Sequence, residues 1–111
     1  MTFHSLLYLV PGLLILVTGL ALKNGQIPRN AVIGVKMAES YESEQSWLAI
    51  NQYGGLQFLR GGLVIVLSAA LGIFLPFGPE VIHPILLLVF LGGSLIPTWL
   101  SVRFARQYGR R

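Results

Sequence analysis

The chain has 111 residues, 54% of them hydrophobic and only 11% charged, with a formal net charge of +4 and no cysteine. A soluble domain carries about a quarter charged residues, so composition excludes a water-facing surface all round and makes membrane the first class to test. The missing thiols exclude a disulfide framework, a CxxC redox pair and a thiolate metal site or nucleophile.

The first apolar stretch, residues 5–22, is uncharged. As a helix it would be about 27 Å long, close to the hydrocarbon thickness of a bilayer. It has no Lys or Arg before Lys23 and no small-residue cleavage site followed by a polar domain, so it reads as a retained span rather than a signal peptide. Pro11 falls inside it and is expected to bend it.

A polar loop, residues 23–60, follows. It holds three of the four acidic residues, Glu39, Glu42 and Glu44. Asn24-Gly25 and Pro28 are turn formers. The run AVIGVKM is β-branched and predicts an extended segment at the interface. Ser43 is the expected N-cap of a short amphipathic helix, with Glu44 and Gln45 in its first turn. Trp47, Leu48, Ile50 and Tyr53 form its apolar side, and Glu44, Gln45, Asn51 and Gln52 its polar side. Trp47 and Tyr53 suit the headgroup layer. Lys36 is expected to pair with Glu44 and lock the extended segment onto the helix. Gly54-Gly55 then reads as a turn into the second span.

The second and third spans are expected over residues 61–77 and 81–102, joined by the tight link PFGPE into an antiparallel hairpin. Pro97 is expected to bend the third. Gly61, Gly62, Ser68, Gly72, Gly92 and Gly93 give small surfaces for close helix approach. The tail, residues 103–111, carries four arginines. The fold class is therefore all-α membrane protein: three transmembrane helices, with a short amphipathic interfacial helix in the first loop.

With three spans, the loop and the tail share a side, and they hold all eight Lys and Arg residues. The positive-inside rule makes that side cytoplasmic and puts the N-terminus outside. The tail reads as a flank for anionic headgroups. It lacks the folded basic patch with interleaved aromatics that nucleic-acid binding requires.

Enzyme chemistry finds no support. Lys36 and Glu44 lie in a wet loop without the burial that tunes catalytic pairs. No HExxH, GxSxG or phosphate loop is present. His4, His83 and Glu80 share the outer side and read as interfacial polar residues rather than a metal site. The span interiors carry no charge for a transport pathway. No cofactor is expected.

The run IGVKMAESYESEQSWLAINQYGG resembles the signature of the SdpI family of small bacterial membrane proteins. Gly34 matches the signature glycine, Lys36 the basic position, Ser43-Glu44 the Ser-Glu pair, Trp47 the tryptophan and Asn51 the polar position. Asn30 matches an upstream asparagine, and Gly54 or Gly55 the closing glycine. Lys36 stands where the family has Arg, Met37-Ala38 replaces a Thr-Pro-like pair, Tyr41 replaces a turn Leu, and Gln52 replaces a basic residue. The resemblance implies a bacterial plasma-membrane protein of toxin-immunity or signalling type, whose partner is a toxin peptide or a cytoplasmic regulator. An accessory subunit of a larger membrane complex, or a homo-oligomer, is the alternative. The candidate partner-binding or bracing residues are Asn30, Gly34, Lys36, Ser43, Glu44, Trp47 and Asn51.

Overall fold

The computed structural model describes residues 3–109, with side chains from Ser5 onward. The His4 side chain, Arg110 and Arg111 lie outside the described residues. Three helices follow one another: α1, Phe3–Lys23, α2, Glu44–Phe74, and α3, Pro79–Gly109. A short 3-10 turn, Ser40–Glu42, precedes α2. No strand occurs among the described residues. All three helices are long and apolar enough to cross a membrane.

The helix ends follow from local chemistry. Gly25 takes φ 70°, Gln26 N–H donates to Ala21 O at 2.9 Å, and Gly25 N–H donates to Leu22 O at 3.1 Å. These are the paired bonds of a Schellman motif, which ends α1. Ser43 caps α2 as expected, its Oγ accepting Ser46 N–H at 3.0 Å. Pro79 opens α3, where a missing N–H costs nothing.

One expectation fails. The amphipathic stretch is helical, but it is not a separate helix, and Gly54-Gly55 is not a turn. Both belong to the uninterrupted 31 residues of α2. The reason is packing. α2 is the central helix, packed along both α1 and α3, which meet each other over a smaller area where Tyr8 packs on His83 and Phe90. Gly55 and Gly62 face α1: a Cβ at Gly55 would lie 2.7 Å from Gly19 O, and one at Gly62 would lie 2.6 Å from Leu16 N. Gly54 and Gly61 face α3, meeting Ser101 and the Gly93–Pro97 turn. Pro97 cannot donate to the Gly93 carbonyl, and that carbonyl is the backbone atom against which Gly61 packs.

Two apolar clusters close the ends of the bundle. Tyr8, Ala69, Ile82 and Leu86 gather at one end, and Val35, Ile50 and Ala105 at the other. The second cluster needs the loop, because Val35 comes from it. Each of α2 and α3 is about 46 Å long, against about 30 Å of hydrocarbon. The excess forms a platform at the loop end, where Lys23, Arg29, Lys36, Arg103 and Arg106 collect.

Gly62→Ala should therefore lower stability by about 1–3 kcal/mol, because its Cβ meets backbone that cannot rotate away. Gly92→Ala is the control: its Cβ would find no atom outside its own helix backbone nearer than 4.0 Å. It should be neutral or raise stability by up to about 1 kcal/mol. Unfolding by SDS titration in mixed micelles measures both.

Candidate functional site

The candidate residues fall in the loop and the first two turns of α2. Asn30 organises the loop. Its Oδ1 accepts the N–H groups of Val32 and Ile33 at 2.8 and 2.7 Å, and its Nδ2 donates to Pro28 O and Ile33 O at 2.7 and 3.0 Å. Its own carbonyl accepts the Tyr41 hydroxyl at 2.6 Å. These bonds fold residues 31–34 into a bend, not the extended run expected from their β-branching. A polar side chain that bonds nearby backbone groups competes with strand geometry in this way.

The bend delivers Gly34 with φ 128°, a backbone that only glycine adopts without strain. A Cβ there would lie 2.6 Å from Asn51 Oδ1 and 2.9 Å from the Trp47 ring. Gly34 thus lets the loop backbone lie directly on α2. The next residue completes the contact: Val35 N–H donates to Asn51 Oδ1 at 2.5 Å, and Asn51 Nδ2 donates to Trp47 O at 3.0 Å. Asn51 is 2% exposed. Placing it on the solvated face of an amphipathic helix is therefore corrected. The buried stripe of this part of α2 is Trp47, Ile50, Asn51 and Gly54, and Leu48 lies outside it.

Trp47 is also corrected. It is 3% exposed, its indole N–H donates to Ile27 O at 3.2 Å, and Tyr41 tilts over it at 5.4 Å between ring centroids. It pins the loop to α2 instead of sitting among headgroups. Tyr53 likewise stacks on Phe104 of α3, 4.1 Å between centroids and 9° between planes.

The Lys36–Glu44 pair does not form. Lys36 Nζ donates to Val32 O at 2.8 Å, one turn back in the loop. The Glu44 carboxylate is exposed and has no hydrogen-bond or ion-pair partner. The two residues border different hollows. Lys36 lines one with Thr98 and Ser101. Glu44 lines a cleft of about 260 Å³ with Arg29, Trp47 and Leu48. Arg29 reaches the Tyr41 carbonyl at 3.4 Å, a long bond.

Asn30, Gly34, Trp47 and Asn51 are thus joined in one lock, Ser43 only caps α2, and Lys36 and Glu44 remain outside the lock. Sequence reasoning missed Arg29, Tyr41 and Val35. Tyr41 had a signal, since an aromatic among acids in a loop needs a partner surface. At the far end of the bundle the Tyr8 hydroxyl lies 3.4 Å from His83 Nδ1, linking α1 to α3. Among the described residues no three potential metal-ligating side chains gather.

Asn51→Leu removes the acceptor for a buried N–H and should cost about 1–3 kcal/mol. Gly34→Ala should cost at least as much through positive φ and the clash with Asn51. In both, amide exchange should quicken at Val35 and leave the α1–α2 interface protected, as hydrogen exchange with mass spectrometry can read.

No curated protein and no solved structure matches the chain at a significant level. A family model described as the SdpI/YfhL protein family matches residues 26–101, from the loop to the last turns of α3. With that match over most of the chain, and with three membrane-crossing helices locked by the signature residues, the protein is a multi-pass membrane protein of the SdpI/YfhL family.

Proposed function

We propose that the protein acts without catalysis, as a toxin-immunity or signalling protein that binds a peptide or protein partner on the outer face of its loop. The observation that carries this reading is the division of labour in the signature. Most of its polar atoms are spent on internal bonds, whereas Glu44 keeps a free carboxylate on a cleft that Arg29 and Trp47 also line. Opposite charges on one cleft suit a peptide segment that offers both donors and acceptors. The immunity or signalling context is what the resemblance of the signature run implies.

The loop faces the cytoplasm of a bacterial cell in this reading, because the basic residues of the described chain collect at its end of the bundle. Cysteine labelling tests the orientation, and the chain's lack of cysteine makes it clean. Ser40 is unsuitable, being fully buried. Exposed Glu42→Cys should react only after the membrane is breached, and Glu80→Cys should react in intact cells. The reverse pattern would turn the loop outward.

Function is tested by challenge with membrane-active peptide toxins. Cells lacking the protein should be killed by a cognate toxin and rescued by its expression. Glu44→Gln should weaken rescue about tenfold at unchanged abundance. Full rescue by Glu44→Gln would remove the cleft from the mechanism. No toxin phenotype, together with co-purification of a large membrane partner in mild detergent, would instead make the protein an accessory subunit.

A further inference from the structure

Beside Gly61, where α2 packs on the Gly93–Pro97 turn of α3, the seam between the two helices leaves a groove of about 340 Å³. Val64, Val89, Gly92 and Ile96 line its apolar part, and Gln57 and Arg60 stand at its mouth. Gly92 leaves it open, since no atom lies nearer than 4.0 Å to a Cβ built there. Arg60 is exposed and has no hydrogen-bond or ion-pair partner.

The depth of Arg60 makes this notable. A Cβ at Gly55 would touch the Lys23 backbone, so Gly55 lies level with the end of α1. Five residues on, Arg60 is about 8 Å deeper along α2. A guanidinium there is costly unless it reaches the interface or meets an anion. Helical side chains lean toward their own N-terminus, which takes Arg60 toward the loop end.

α3 runs the other way. Its groove wall continues on one face as Val89, Gly92, Ile96, Trp99, Arg103 and Arg106, at alternating steps of three and four residues. Arg103 leans inward by the same rule, its guanidinium 5.5 Å from the centre of the Trp99 ring. Trp99 is 59% exposed and suits the headgroup layer. Apolar groove, tryptophan and unpaired arginines therefore follow one another from hydrocarbon to headgroup depth.

We infer that this face holds an anionic phospholipid, with an acyl chain in the α2–α3 groove and its phosphate drawn by Arg60 and Arg103. Charge complementarity selects this occupant: basic pockets between membrane helices favour acidic headgroups. A second copy of the chain would bring another Arg60 and Arg103 near the first pair, which like-charge repulsion disfavours.

The test is native mass spectrometry of the purified full chain in nonionic detergent. Phosphatidylglycerol and phosphatidylcholine with identical acyl chains are the probes. Phosphatidylglycerol should be retained about fivefold better, and Arg60→Gln should abolish most of that preference. Arg60→Lys should keep it in part, and Gly92→Leu should lower retention of both lipids by filling the groove. Equal retention of the two lipids by the parent chain would overturn the inference. So would an undiminished preference in Arg60→Gln, or a dimer that Gly92→Leu dissociates.

Discussion

The close approach of backbones at two adjacent glycine pairs sets the rest of this structure. In a bilayer, apolar side chains gain little by leaving lipid for protein, so helices associate through packing at short range. Gly54-Gly55 and Gly61-Gly62 repeat at an interval of seven residues along α2. Neighbouring residues on a helix point about 100° apart, so each pair serves two partners. Gly55 and Gly62 receive α1, and Gly54 and Gly61 receive α3. One helix thus becomes the axis of the bundle, and its two neighbours share a smaller contact around Tyr8.

That arrangement leaves an open angle between α1 and α3 at the loop end, and the loop fills it. Val35 enters between Ile50 and Ala105, and its N–H loses water on the way. Asn51 supplies the replacement acceptor. The backbone can come that close because Gly34 has no Cβ to strike Asn51 and Trp47. The lock is one connected contact: the wedge needs the acceptor, the acceptor needs the glycine, and the Trp47 indole holds the other strand of the loop through Ile27. Residues that look like a recognition motif in sequence are therefore chiefly the device that closes the bundle.

What the sequence made legible was local or long. The spans were readable because uninterrupted apolar runs leave few alternatives, and the Ser43 cap because its hydrogen bond is three residues away. Gly54-Gly55 was misread because glycine pairs break helices in water, whereas in α2 the neighbouring backbones reward them. Asn51 was misread because an amphipathic pattern sorts residues by polarity. Its partner lies 16 residues upstream, and no periodicity encodes that. The Lys36–Glu44 pair was a charge argument without geometry: the loop bends at Asn30 and hands Lys36 a carbonyl instead.

The same bend bears on how such a protein recognises anything. Once Asn30, Trp47 and Asn51 have satisfied the loop, the signature's remaining charges, Glu44 among them, lie at the rim. Glu44 is held at the start of α2, where the helix dipole favours its negative charge, and Arg29 lines the same cleft from the loop. Rim charges act mostly on encounter and selectivity, and buried contacts on lifetime. In the proposed reading, a partner that stays bound adds its own apolar surface against Leu48 and the exposed tip at Val32 and Ile33, which are 43%, 75% and 45% exposed. An amphipathic peptide at a membrane surface has that composition, with apolar groups to cover the tip and charges to meet Glu44 and Arg29.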